Sequence, residues 1–101
     1  MYAILWEYQV KEDCLAKFES IYAANGVWAE LVRNGEGYLG TELLRDPGQP
    51  LRFVRIDRWA SAEDCDVFKS NWKDEYEMLD EKCNGLTESE SLIGEFLLVK
   101  P

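Results

Sequence analysis

Along residues 2 to 10, YAILWEYQV, side chains alternate: Tyr2, Ile4, Trp6 and Tyr8 fall on one side, with Ala3, Leu5, Glu7 and Gln9 on the other. A period of two with aromatic and β-branched residues predicts a strand. The period then changes. After Asp13, placed as an N-cap, Leu15, Phe18, Ile21 and Tyr22 recur at helical spacing up to Asn25-Gly26, and Trp28, Leu31 and Val32 resume it up to Asn34-Gly35. This predicts a helix broken at Gly26. GYLGTELLRD, residues 37 to 46, returns to strand character, and DPGQP, residues 46 to 50, has the turn chemistry to lead into a third strand containing RFVRIDRW, residues 52 to 59. Ser61, with Asp64 three residues on, marks a helix start, after which Cys65, Phe68, Trp72, Tyr76, Leu79 and Cys83 fall three or four apart. Gly85 is a suitable stop, and residues 90 to 99, ESLIGEFLLV, predict a fourth strand.

Strand, helix, strand, strand, helix, strand is the α+β, ferredoxin-like βαββαβ order, in which two helices cover one face of an antiparallel sheet. The expected core on that covered face is Ile4, Trp6, Tyr8, Val54 and Ile56 from strands, with Phe18, Ile21, Phe68, Trp72 and Leu79 from helices. The other face is then left with Leu5, Glu7 and Gln9, with Leu39, Thr41 and Leu43, with Phe53, Arg55, Asp57 and Trp59, and with Ile93, Glu95 and Leu97. So many large apolar groups exceed the patch a monomer usually exposes. A second copy packed on this face answers the difficulty, and predicts a homodimeric α/β barrel with a polar-lined interior.

Composition narrows the function. At 101 residues, 47% of them hydrophobic and 13% aromatic, the chain is expected to form one domain over residues 1 to 101. Its formal charge of −9 argues against nucleic-acid and anionic-membrane partners. Cys14, Cys65 and Cys83 are odd in number and widely spaced, which suits a reducing, cytoplasmic setting and builds neither a disulfide framework nor a zinc site. No apolar run has the flanks of a signal peptide or the length of a membrane span. Histidine is absent, so His-based acid/base, triad and imidazole-ligand chemistry are excluded. Glycine-rich phosphate motifs are also missing, and the spacing of Glu7, Glu42 and Asp57 defines no metal site.

The runs GxWxxLxRxxxGYLGTxLLRD (Gly26 to Asp46), RFVRIDRWxSxExxxxF (Arg52 to Phe68) and YEMLDEKCNGLTESESLIGEF (Tyr76 to Phe96) resemble the antibiotic biosynthesis monooxygenase-like family. The resemblance implies a dimeric α+β barrel. It also implies an activity seen in some members: oxidation of polycyclic aromatic compounds by O₂ with neither metal nor prosthetic group. The haem-degrading branch uses a histidine ligand to iron, which this chain lacks.

An electron-rich phenol or anthrone reacts with O₂ once deprotonated, so such an enzyme needs a dry aromatic cavity, a base and a donor or cation for the oxyanion. Asp57 or Glu7 is the expected base and Arg55 the oxyanion partner, while Phe53 and Trp59 hold the rings. Against this stands a purely structural charge network of Arg55, Asp57 and Glu7 across neighbouring strands. Trp28 and Tyr38 either close the cavity mouth or staple the broken helix to the sheet edge. Cofactors are expected to be none. The other two classes left open are a non-catalytic homodimer that binds an apolar small molecule, and a dimer whose interior is filled by side chains.

Overall fold

The alternating segment YAILWEYQV forms strand β1 (Tyr2–Val10), and its even-numbered residues Tyr2, Ile4, Tyr8 and Val10 are buried. β2 (Tyr38–Asp46), β3 (Gln49–Trp59) and β4 (Thr87–Leu97) complete a sheet of order β2-β3-β1-β4 with every pairing antiparallel. Helices α1 (Leu15–Tyr22), α2 (Val27–Val32), α3 (Ala62–Asn71) and α4 (Lys73–Cys83) pack on one face. This computed structural model describes residues 1–101, and the architecture is the ferredoxin-like one that the order of periods predicts.

Local chemistry sets the element ends. Ser61 accepts a hydrogen bond from the Asp64 amide at 3.1 Å and caps α3. Asp46 accepts from the Gly48 amide at 2.8 Å, the side-chain turn that joins β2 to β3. Gly85, at φ +96°, ends α4 in a conformation that a Cβ would disfavour. Asp13 does not cap the first helix: a 3-10 turn, Glu12–Cys14, precedes α1, whose N-cap Cys14 makes no side-chain cap bond. The expected single helix after Ser61 is interrupted at Trp72, which sits at φ −117°, ψ 27° between α3 and α4. β4 starts three residues before its predicted first residue, at Thr87, and ends at Leu97.

The strand register overturns the expected division of the two faces. In an antiparallel pair, residues directly opposite share a face. Tyr8 lies opposite Phe53, Trp6 opposite Arg55, Ile4 opposite Asp57 and Tyr2 opposite Trp59. Phe53, Arg55, Asp57 and Trp59 therefore lie under the helices, all buried, whereas Val54 and Ile56 lie on the uncovered face and are only partly buried. Thr41 and Leu43 follow Asp57 and Arg55 to the helix side. Glu95 and Leu97, opposite Ile4 and Tyr2, do the same, with a bulge near Ile93 shifting the register of β4.

The core forms two aromatic clusters. Tyr8, Phe18, Tyr22, Trp28 and Phe53 gather at one end with Val10, Cys83 and Leu86; Phe18 stacks on Tyr22 at 4.3 Å between centroids. Tyr2, Ile4, Val32, Trp59, Cys65 and Phe68 form the other. Gly35 is a packing residue here, because a Cβ on it would sit 2.6 Å from the Trp59 ring. Between the clusters lies Arg55.

Candidate functional site

A guanidinium in the middle of an aromatic core requires compensation for its lost hydration. Arg55 is only 7% exposed and Asp57, two residues along the same strand face, 8%. Arg55 Nε lies 3.1 Å from Asp57 Oδ2. Its Cζ stands 5.9, 5.4 and 5.6 Å from the ring centroids of Tyr8, Tyr22 and Trp28, so the cation is held by the faces of three rings as well as by one carboxylate. Burial disfavours its charge, but Asp57 and the oxygens of Tyr8, Tyr76 and Tyr22 outweigh that and leave its pKa above the usual arginine value.

Asp57 is fixed in turn by the neighbouring edge strand. Thr41 Oγ1 donates to Asp57 Oδ1 at 2.6 Å, and with that proton committed, Tyr38 Oη donates to Thr41 at 2.5 Å. Tyr38 also packs edge-on against Trp59. This Tyr38–Thr41–Asp57–Arg55 chain needs the residues that β2 and β3 place opposite each other, Thr41 beside Asp57.

Beyond Arg55 the core opens into a recess of about 140 Å³ walled by Trp6, Tyr8, Tyr22, Trp28 and Tyr76, with Arg55 at its inner side and Asp80 and Glu90 completing the wall. An apolar cavity of about 150 Å³ holds one benzene. The recess therefore suits one aromatic ring. Trp28 Nε1 and Arg55 Nε are fully buried without an aligned acceptor, the indole N–H beside the Tyr22 hydroxyl and Nε on the side of Asp57. Burial raises the pKa values of Tyr8 and Tyr76, against the opposing field of Arg55, and burial followed by Cys83 raises that of Tyr22. All three phenols are thus neutral donors near neutral pH. Desolvation and then the facing Asp80 push the Glu90 carboxyl above the ordinary range, with Arg55 opposing.

The predicted residues divide. Arg55 and Trp28 meet at the recess. Asp57 does not border it and lines only a void of about 20 Å³ on the other side of Arg55, together with Trp59. Phe53 packs against Phe18 in the core, and Tyr38 reaches the site only through Thr41. Glu7 is on the opposite face of the sheet, paired with Arg52, so it cannot join Arg55 and Asp57 in one charge network. The recess lies between the sheet and the helices of one protomer, whereas the sequence points to a cavity between two uncovered sheet faces. Tyr8, Tyr22, Tyr76, Thr41, Asp80 and Glu90 escaped notice as site residues; the first three were visible only as aromatics on inward stripes. No three Cys, Asp or Glu side chains converge closely enough to hold a metal ion.

The fold is of the α+β, ferredoxin-like class, with a recess between its sheet and its helices. The family model for antibiotic biosynthesis monooxygenases matches residues 1–73, and the chain belongs to that family. No curated protein matches it by sequence. Among solved structures it is similar to SnoaB, a cofactor-independent oxygenase from Streptomyces nogalater, at 17% identity and TM-score 0.73, over 99% of this chain and 94% of that one. It is similar to an antibiotic biosynthesis monooxygenase-like protein from Nitrosomonas europaea at 16% identity and TM-score 0.72, over 99% and 100%. A variant of MhuD with two manganese protoporphyrin IX molecules bound per active site aligns at 21% identity and TM-score 0.71, over 100% and 97%. Identities this low speak to the fold alone.

Proposed function

We propose that the protein is a cofactor-independent monooxygenase that oxidises a phenolic or enolisable aromatic compound in the recess beside Arg55. The supporting observation is the buried guanidinium of Arg55, encircled by rings, at the inner side of a ring-sized space. A substrate oxygen placed there meets the positive charge of Arg55, which stabilises the negative charge it develops between aromatic walls. Asp57 acts by holding Arg55, and Thr41 and Tyr38 hold Asp57.

The base in this proposal is Glu90, because it borders the recess and desolvation and the nearby Asp80 raise its pKa, which makes it a stronger base than an ordinary carboxylate. It removes the proton that generates the aromatic carbanion or phenolate. That anion gives its electron pair to O₂ to form a carbon-bound hydroperoxide. Loss of water from the hydroperoxide then leaves a carbonyl: one oxygen atom enters the quinone product, and the other departs as H₂O with the two protons. The SnoaB structure supports the class of reaction by family membership, and the substrate follows here from the recess.

The assembly proposed is a homodimer formed through the uncovered face, now read as Leu5, Leu44, Val54, Ile56 and Phe96 in place of the odd-numbered residues of β3. Leu44 and Phe96 are 49% and 50% exposed. Arg52 with Glu7 and Arg58 with Glu42 neutralise their charges within one protomer on this face, which leaves its centre free to pair with a copy of itself.

Oxygen uptake with a panel of anthrones and naphthols, in the presence of a metal chelator, tests the activity. The expected result is stoichiometric O₂ consumption above a protein-free control, reduced at least about 100-fold in Glu90→Gln. If no member of the panel is consumed while the same compounds bind, the protein is a non-catalytic binder.

A further inference from the structure

A ring that fills the recess of about 140 Å³ leaves no space there for O₂, which has to reach the substrate from an adjoining space. Two spaces adjoin. The outer one shares Asp80 and Glu90 with the recess and is walled mainly by polar groups, a setting that favours water over an apolar gas. The inner one is the void of about 20 Å³ on the other side of Arg55. It shares Trp6, Trp28, Arg55 and Tyr76 with the recess, so these four side chains form the partition between the two. Its remaining walls include Ile4, Val32, Cys65 and Phe68, members of the second core cluster. The void has room for about one molecule of the size of water or O₂. A water held there needs two or more free polar partners. Asp57 is already engaged by Thr41 and faced by Arg55, and Lys69, the other charged residue at its border, is an exposed helix residue. O₂ has no hydrogen bonds to lose, and its transfer from water into apolar surroundings is favourable.

We infer that this void is the O₂ site: the gas lodges among Ile4, Val32, Cys65 and Phe68 and passes the partition to meet the ring in the recess. This rests on the proposed use of the recess and adds where the second substrate binds. Arg55 borders both spaces, so the charge that meets the substrate oxyanion also lies beside the O₂ that accepts electrons. In that step the electron pair of the substrate carbanion forms the new C–O bond and carbon is oxidised. The O–O double bond is reduced to a single bond, and the distal oxygen takes up the proton that Glu90 removed, which gives the neutral hydroperoxide.

O₂ is paramagnetic and speeds the relaxation of methyl groups beside which it resides, so the site is tested on methyl-labelled protein pressurised with O₂ and, as a control, with N₂. The methyls of Ile4 and Val32 should show an enhancement several times that of Ala3 and Leu86, which are as deeply buried but do not border the void. Val32→Ile and Cys65→Val each add bulk to its wall. In both variants the enhancement should fall and the KM for O₂, read from oxygen uptake, should rise several-fold, while the affinity for a neutral naphthol, read from tryptophan fluorescence, stays that of the parent. No excess relaxation at Ile4 and Val32, as in a void that holds a bound water, would overturn the inference and leave the reading of the recess intact, because naphthol binding is measured separately. An unchanged KM for O₂ in both variants would overturn it as well. Excess relaxation in a protein that consumes no O₂ with any aromatic compound would overturn both readings, the gas then being a passive guest.

Discussion

Arg55 shows how one residue can be decided by its neighbours across the sheet. On β3 alone it looks like half of an ion pair on the helix-free face; opposite Trp6, and beneath Tyr22 and Trp28, it is the polar centre of an aromatic core. Its partner Asp57 depends on Thr41, so Thr41→Val, which keeps the shape and removes the donor, should destabilise the fold by roughly 1–3 kcal/mol in a urea titration. A change within experimental error would mean that Asp57 has another donor. Glu90 gives a prediction with a defined sign. Its carboxyl binds a proton more tightly folded than unfolded, so its contribution to stability is most favourable at low pH and is lost as pH rises from the ordinary glutamate pKa, about 4.3, through the raised folded value. Glu90→Gln should therefore gain in thermal midpoint relative to the parent on going from pH 4 to pH 7. A difference independent of pH would show that Glu90 is not held in an acidic, desolvated setting.

At the level of elements, periodicity in the sequence carried the fold. The switch between periods of two and of three to four, with Gly26, Ser61 and Gly85 as punctuation, locates the strands and the helical regions to within a few residues, but not the break at Trp72 between α3 and α4. It does not settle which way β3 faces, because both of its faces carry apolar groups, and the face with two charges is the one the pattern assigns to the uncovered side, against a second copy. Only the pairing register, Tyr8 with Phe53 and Ile4 with Asp57, settles that. The same reason hid the site: Tyr22 and Tyr76 look like ordinary stripe residues until the helices are laid over Arg55. Phe68, buried against Trp59, was placed correctly on its helix, and Phe68→Ala should cost about 3–5 kcal/mol. Gly35→Ala tests the same cluster from the opposite direction. Its new methyl collides with the Trp59 ring, and a loss of about 1–3 kcal/mol is expected, whereas a neutral result would show that the α2–β2 connection yields easily.

For the whole molecule, one face of the sheet makes the site and the other makes the proposed assembly. Val54 and Ile56 alternate with Arg55 and Asp57, so β3 serves both, and substitutions a single position apart should have unrelated effects. Sedimentation equilibrium at low micromolar concentration should give a dimer burying about 2,000 Å² or more, converted to monomer by Leu44→Glu or Phe96→Glu. A monomeric parent would remove the uncovered face from the proposed assembly without touching the recess. No helix is long and apolar enough to cross a membrane. The most direct test of the central claim, that the ligand site lies between sheet and helices around Arg55, is a titration of ¹⁵N-labelled protein with a neutral naphthol while the side-chain N–H resonances are followed. The indole resonance of Trp28 and the Nε–H of Arg55, in two residues that border the recess, should shift as the ring enters, while the Nε–H resonances of Arg52 and Arg58 stay in place. Movement of Arg52 and Arg58 with Trp28 and Arg55 unchanged would put the ligand on the opposite face and contradict the account.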